Sequence, residues 1–123
     1  MLREGEKVWI NGGGPHPGIL IRLSRDSKFG LILTGTGTQG REVPFVRVDP
    51  KKRLGAPLRL TKVTYFYQDA LVVRHVDDFK PDDLPALCPI VIWFQLYALA
   101  IARVRENPRS LPMLDEWSSV LKT

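Results

Sequence analysis

The residues best suited to chemistry are a histidine and a run of threonines in the first third of the chain. His16 precedes Pro17 in a loop sequence, and Thr34, Thr36 and Thr38 alternate with glycines after a hydrophobic run. Histidine suits proton transfer because its ordinary pKa lies near neutral pH. Hydroxyls can donate hydrogen bonds to phosphate oxygens. Together these groups suit a site that moves protons at a phosphodiester, although His16 can equally be an exposed loop residue.

Cleavage of RNA without a metal needs a base for the 2′-hydroxyl, an acid for the departing 5′-oxygen, and donors for the charged phosphorane. Arginine suits the last role because its planar guanidinium forks onto phosphate oxygens. Arg22 and Arg41 are the candidates for that role. Lys51 and Lys52 lie in a basic loop sequence that predicts either a nucleic-acid contact or a solvated loop, and Lys62 offers a further positive charge.

The segment LILTGTGTQGREVPF (31–45) raises the possibility of a phosphate-binding loop, since glycines follow a strand-like run. A true phosphate loop of the Walker type continues into a helix and carries a Gly-Lys-Ser/Thr sequence. Here Gly40 is followed by Arg41 and a further strand-like run, so that interpretation fails. Two alternatives remain: a hairpin turn only, or a hairpin whose threonines also face a ligand.

Composition predicts a globular protein of one domain, because 44% of the 123 residues are hydrophobic and 25% are charged. A formal net charge of +5 favours an anionic partner, with RNA or DNA ahead of a membrane, or is simply that of a basic protein. Cys88 is the single cysteine, and with two histidines no metal site of ordinary spacing can be drawn. The N-terminal sequence does not resemble a signal peptide, so we expect a cytoplasmic protein that needs no cofactor.

The first 78 residues read as short strands separated by glycine, proline and polar turns. Ile19, Ile21 and Leu23 alternate with other residues at the period of a half-buried strand. Gln68-Asp69 interrupts the longest run and predicts a kink or turn. Short strands at this spacing are typical of a small, bent barrel. The predicted strands cover residues 8–10, 19–23, 29–33, 42–48 and 63–76.

Residues 90–107 predict one long C-terminal helix that is apolar over most of its circumference. Pro89 suits the first turn and Pro108 ends the helix. The apolar stretch is too short to span a bilayer comfortably. A helix with so much apolar surface predicts a homodimer with Trp93, Tyr97 and Ile101 at the interface. Residues 111–121 predict a second, short amphipathic helix.

The order of these segments carries a family resemblance over about residues 5–78. The segments are GEKVW at 5–9, HPGILI at 16–21, GLILT at 30–34, VPFVRV at 43–48 and KVTYF at 62–66. In order and spacing they resemble the PemK/MazF family of toxin ribonucleases. The resemblance implies an α+β, mainly β fold: a small SH3-like barrel of about five to seven strands (1–78) and a helical C-terminal part (81–123) within one domain.

The same resemblance implies a toxin-type endoribonuclease of a toxin–antitoxin system, which cuts single-stranded RNA without metal and is held by an antitoxin protein. His16 stands where the family commonly has an arginine before the proline, and Thr34 stands at the phosphate-contacting strand end. The alternative is a non-catalytic barrel of the same build that binds nucleic acid or a protein. The predicted catalytic residues are His16, Thr34 and Arg22, and the predicted RNA-binding residues are Thr36, Thr38, Arg41, Lys51, Lys52 and Lys62.

Overall fold

The computed structural model describes residues 2–12, 14 and 16–121. Within them the chain forms six strands and then two α-helices, with short 3-10 turns at Ala56–Leu58 and Val76–Asp78. The strands are β1 (Lys7–Ile10), β2 (Pro17–Leu23), β3 (Phe29–Thr36), β4 (Phe45–Val48), β5 (Thr64–His75) and β6 (Phe79–Pro81). The helices are α1 (Ile90–Arg105) and α2 (Leu114–Val120). The mainly β prediction is confirmed.

The strands form an open sheet rather than a barrel. Their order is β4, β5, β3, β2, β1, β6, and each neighbouring pair is antiparallel. Closure requires the two outer strands to hydrogen-bond to each other, but among the described residues β4 and β6 do not pair. The prediction of a closed SH3-like barrel was therefore wrong. Both edge strands are short, with four residues in β4 and three in β6, and β6 ends at Pro81, which has no N–H to donate.

Local pattern located four strands well and the two edge strands poorly. The predicted strand at 42–48 begins only at Phe45, because Pro44 cannot donate to a ladder and the segment before it remains a loop. No local pattern predicts β6, which consists of three residues and pairs with β1, with Trp9 opposite Lys80. Edge strands this short carry too little periodicity to recognise.

Buried side chains form two clusters, one on each face of the sheet. Ile19 and Ile21 of β2 point into the larger cluster, which α1 and α2 cover, while Leu20 points into the smaller one. The pairing of β2 with β3 shifts register between Leu20 and Arg22. A residue inserted into one strand reverses the alternation beyond it. Leu23 therefore packs against the smaller cluster, although strict period-2 alternation predicted it on the face of Ile19.

A second irregularity lies where β3 meets β5. Leu33 pairs with Leu71, but the next paired residue of β3, Gly35, lies opposite Phe66. Residues 67–70 of β5 thus lie opposite Thr34 alone. The predicted interruption at 68–69 is this bulge, which moves the backbone of β5 away from β3 and leaves room between them.

Helix α1 has 16 residues and buries one stripe, formed by Ile92, Leu96, Ala100 and Val104. This four-residue spacing places one side chain per turn against the sheet. The prediction of a long, mostly apolar helix was wrong, because α1 ends at Arg105 and its last turn alternates Ala102 and Val104 with Arg103 and Arg105. Among the described residues no helix is both long and apolar enough to cross a membrane.

The Cys88 thiol lies just before α1, and burial raises its pKa to about 12. The thiolate is the reactive form of cysteine. We therefore expect Cys88 of the folded protein to react with a disulfide reagent about 100-fold more slowly than a free thiol at about pH 8. A thiol of higher pKa has a smaller thiolate fraction at this pH, and the greater nucleophilicity of its thiolate offsets only part of that difference. Absorbance of the released thiol measures the rate. Equal rates for the folded and the denaturant-unfolded protein would contradict the burial of this thiol.

Candidate nucleic-acid interface

His16 lies between two clefts on the surface of the sheet, and its side chain is exposed. The first, which we call the Thr34 cleft, has a volume of about 280 Å³. It opens beside the bulge in β5 and brings His16 together with two of the predicted threonines. The residues lining the Thr34 cleft are Ile10, His16, Thr34, Gly35, Thr36, Arg41, Tyr67, Ala70, Val72 and Arg74.

The second, which we call the Lys62 cleft, lies on the other side of His16 and has a volume of about 190 Å³. Its charged lining residues are all cationic. The residues lining the Lys62 cleft are Lys7, Trp9, His16, Pro17, Gly37, Arg59, Leu60, Thr61, Lys62 and Thr64. Among the described residues, the charged residues that line the Thr34 cleft, Arg41 and Arg74, are also cationic. The surface on both sides of His16 therefore suits an anion.

The Thr34 hydroxyl lies in the opening that the bulge leaves, and it donates a hydrogen bond of 3.0 Å to the carbonyl of Ala70. This bond joins β3 to the bulge of β5 and fixes the position of the hydroxyl oxygen. That oxygen can still accept a hydrogen bond. Donation to a phosphate requires the hydroxyl to turn away from Ala70.

Arg41 stands at the rim of the Thr34 cleft. Its guanidinium pairs with the carboxylate of Asp69 and lies 4.9 Å from the centre of the Tyr67 ring. A guanidinium has five N–H donors, so the pair with Asp69 leaves donors for a second anion. Asp69 itself belongs to the bulge, which shows that the irregularity in β5 also positions this arginine.

Gly35 of β3 and Gly37 of the loop that follows lie where an added Cβ would meet a neighbouring side chain. A Cβ on Gly35 would lie 2.5 Å from the Thr64 side chain, and one on Gly37 would lie 2.5 Å from Cε of Lys62. Both contacts are shorter than real Cβ contacts allow. At Gly37 the atoms involved are the flexible end of Lys62, which lies against this loop at the Lys62 cleft and can move aside. The prediction of a hairpin was wrong: among the described residues β5 lies between β3 and β4 in the sheet, so the loop after β3 joins two strands that do not pair. Thr34 and Thr36, at the end of β3, do line a cleft.

A buried ion pair supports the floor of the Lys62 cleft. The side chain of Lys7 is only 3% exposed, and its Nζ lies 2.9 Å from the Asp82 carboxylate, which also accepts a hydrogen bond from the Trp9 indole. Burial alone raises the pKa of Asp82, but hydrogen bonds from Lys7 and Trp9, with the charges of Lys7 and Arg59, hold it below its usual value. Asp82 therefore stays ionised and links β1 to the segment after β6.

Arg22 does not lie with the other predicted catalytic residues. Its guanidinium pairs with Glu4 at 2.9 Å and donates to the Tyr97 hydroxyl at 3.3 Å, on the side of the molecule where β2 meets α1. Burial alone lowers the pKa of Arg22, but the hydrogen bond to Tyr97 and the charge of Glu4 outweigh it and raise that pKa. Arg22 lines neither cleft. Its predicted role at a phosphate therefore finds no support in its position.

Three other predicted RNA-binding residues, Lys51, Lys52 and Thr38, line neither cleft. Lys51 and Lys52 are exposed in the turn after β4 and line neither cleft. Thr38 is exposed in the loop after β3, where its N–H donates to the Thr36 hydroxyl and its carbonyl accepts from Tyr67. The lysines were selected because of their charge, and charge alone does not give position.

The cations that sequence reasoning missed are Lys7, Arg59 and Arg74. Lys7 and Arg74 lie in or next to predicted strands, where no local pattern indicates that they line a site. Arg59 follows the 3-10 turn and has φ of 50°, a left-handed conformation that no local pattern indicated. The two clefts collect residues from five separate parts of the chain, so only pairing between distant strands brings them together.

No protein-family model, curated protein or solved structure matches the chain. The resemblance to the PemK/MazF family consequently stays a prediction, carried by the order of the segments quoted above. The geometry of the two clefts is what the functional argument rests on.

Proposed function

We propose that this protein is an endoribonuclease of toxin type that cleaves single-stranded RNA across the two clefts flanking His16. The observation that carries the proposal is the position of His16 between two clefts whose charged lining residues are all cationic. An RNA backbone crossing His16 would place a phosphate in each cleft. His16 would then lie beside the phosphate held in the Thr34 cleft, which is the phosphate at which cleavage takes place.

In the proposed reaction, the His16 imidazole takes the proton of the ribose 2′-hydroxyl. The 2′-oxygen attacks phosphorus, the bond from phosphorus to the 5′-oxygen breaks, and a 2′,3′-cyclic phosphate forms. The departing 5′-oxygen takes a proton from water, which is available because His16 is exposed. This chemistry needs a base of near-neutral pKa, which histidine provides.

The developing charge on the phosphorane needs donors, and the Thr34 cleft has three candidates. Arg41 and Arg74 contribute guanidinium groups, and Thr36 contributes a hydroxyl. Charge-assisted hydrogen bonds from guanidinium to phosphate are about twice as strong as neutral ones. Thr34 would contribute only if its hydroxyl turned from the Ala70 carbonyl to donate to the phosphate.

The direct test is cleavage of a mixed-sequence single-stranded RNA by the purified protein in excess EDTA. We expect cleavage that leaves a cyclic phosphate, detected by electrophoresis and mass spectrometry of the products. Absence of cleavage under every ionic condition, with salt-sensitive RNA binding still present, would replace the nuclease with a binding protein.

The binding protein is the second candidate, and a specific observation favours it. Two groups that would contact phosphate are already engaged, since the Thr34 hydroxyl bonds to Ala70 and Arg41 pairs with Asp69. Binding by the other cations of the clefts, such as Lys62 and Arg74, depends on neither of these groups. In this candidate the two clefts hold nucleic acid without cleaving it.

The toxin proposal includes an antitoxin that occupies the same clefts. Their charged lining residues are all cationic, so the antitoxin segment should be acidic and should compete with RNA. A short acidic protein encoded next to this chain would support the pairing. An acidic neighbour that binds without displacing RNA would contradict a shared site.

Loss of one cleft lysine should weaken RNA binding and flatten its salt dependence. Each phosphate contact removed lowers the salt slope for single strands by about 0.7, because fewer counterions are released. We expect this for Lys62→Ala, measured by fluorescence anisotropy across a salt series. Arg22→Ala is the control, since Arg22 carries the same charge but lies at Glu4 and Tyr97. Equal effects of the two variants would show that net charge, not the cleft, governs binding.

A homodimer through α1 is also part of the proposal, and the exposed apolar side chains of this helix extend the predicted interface. Trp93, Tyr97 and Ile101 are already half-buried against the chain's own core, whereas the N-terminal end of α1 leaves large apolar side chains exposed, Phe94 at 65%. We expect light scattering to give twice the 13.9 kDa chain mass at micromolar concentration, and Phe94→Glu to halve it. The control is Phe45→Glu, which should stay dimeric. Phe45 is also an exposed phenylalanine, but it lies on β4, on the opposite face of the sheet from α1. A monomeric wild type would contradict the dimer.

A further inference from the structure

Phe45 is the most exposed member of an aromatic cluster beside the Thr34 cleft. It lies on edge strand β4 with 41% of its surface exposed, while Tyr65 and Tyr67 of the neighbouring strand are 9% or less exposed. The Phe45 ring centre lies 5.7 Å from that of Tyr65 and 5.6 Å from that of Tyr67. An exposed aromatic ring supported by buried ones is a surface on which a flat ligand can stack.

The two tyrosines that support Phe45 are held in place by hydrogen bonds. The Tyr65 hydroxyl donates to Oε1 of Gln39 at 3.2 Å, and the Tyr67 hydroxyl donates to the carbonyl of Thr38 at 3.1 Å. Both acceptors belong to the loop after β3. The rings are thus fixed before any ligand arrives, which reduces the entropy lost on binding.

The cluster continues directly into the proposed phosphate site. Tyr67 lines the Thr34 cleft and packs against Phe45, while the Arg41 guanidinium lies 4.9 Å from the Tyr67 ring centre. Arg47 lies two residues beyond Phe45 on the same face of β4, and its side chain is 50% exposed. Its guanidinium is 3.9 Å from Asp49, which leaves donors available. An aromatic ring between two arginines matches a base between backbone phosphates.

We propose that Phe45 is a stacking subsite for one unpaired nucleobase of the RNA, next to the phosphate held at the Thr34 cleft. This inference rests on the proposed function. It adds a reason for single-strand preference, because a base inside a duplex has no free face to offer an aromatic side chain. The subsite tolerates different bases, since every base has a π-face.

The test measures equilibrium binding of short single-stranded RNA whose 2′-hydroxyls are methylated, so that no cleavage occurs. Phe45→Ala and Phe45→Leu should lower affinity about 5- to 100-fold, the range that loss of one base stack produces. Phe45→Trp should retain affinity, because it keeps an aromatic face. Leu54→Ala, at an exposed apolar residue that lines neither cleft, should bind like the wild type. Circular dichroism checks that every variant folds.

An oligonucleotide series with one abasic position moved along the strand locates the stacked base. At that position, removing the base should lower the affinity of the wild-type protein as much as the Phe45→Ala substitution does. The same abasic oligonucleotide should bind the Phe45→Ala variant no more weakly than the intact oligonucleotide does. A duplex of the same sequence should bind more weakly than the single strand.

Unchanged affinity of Phe45→Ala, full retention by Phe45→Leu, or equal binding of duplex would overturn the stacking subsite and leave the proposed nuclease standing. A wild type that binds none of the oligonucleotides would overturn both. The two failures are therefore distinguishable.

Discussion

Replacing His16 with alanine should lower the rate of RNA cleavage by roughly 10²- to 10⁴-fold, the usual cost of losing one acid–base group. RNA affinity should change little, because the cations of the two clefts remain. The physical reason is that no other histidine lines either cleft, so no side chain of that kind can replace the imidazole. Single-turnover cleavage of a labelled RNA, with affinity measured in parallel, separates the two effects.

His75→Ala is the matched control for this experiment. His75 is the other histidine of the chain and lies at the end of β5, where its Nδ1 accepts from the N–H of Asp77 at 3.2 Å and its ring packs edge-on against Phe29. We expect wild-type cleavage from this variant. Cleavage that survives His16→Ala unchanged would keep the enzyme but remove His16 from the reaction.

The largest expected effect on stability is that of Trp117→Ala, which should lower the free energy of unfolding by about 3–5 kcal/mol. Trp117 is the one large side chain that α2 contributes to the core, and it is fully buried. Removing it leaves a cavity between α2 and the rest of the larger cluster. Since domains of this size have about 5–15 kcal/mol of stability in total, the variant should be close to unfolding. Urea denaturation followed by circular dichroism measures the difference.

Trp117→Phe should cost much less. The Nε1 atom of Trp117 is buried and has no hydrogen-bond partner among the described residues. An unpartnered buried donor costs about 1–3 kcal/mol, so its removal offsets part of the lost packing. If Trp117→Ala unfolds at the wild-type urea concentration, α2 does not pack on the core as described here.

Much of the secondary structure could be predicted because it depends on neighbours in sequence. The alternation in β2 and β3 and the β-rich run of β5 follow from side chains that must face one core. Pro89 and Pro108 bracket α1 for equally local reasons, since proline suits a helix start and prevents its continuation. Even the interruption at 68–69 was visible as two polar residues in an apolar run.

The candidate site was only partly predictable. His16, Thr34 and Thr36 were chosen for their chemistry and do line one cleft. Arg22 was chosen for the same reason, yet its position in β2 directs it to Glu4 and Tyr97. The difference is that side-chain chemistry is a property of one residue, whereas position depends on which strand lies alongside.

The amino-acid sequence by itself determined the strand and helix segments, the excess of positive charge, and the supply of one proton-transfer group near a run of hydroxyls. The tertiary structure alone decided that the sheet stays open, that a bulge opposite Thr34 makes room for a cleft, and that Lys7, Arg59 and Arg74 join His16 there. The physical reason is range. Periodicity and turn chemistry act over a few residues. Pairing between β3 and β5 joins segments more than thirty positions apart, such as Leu33 and Leu71, and no local pattern determines the register of that pairing.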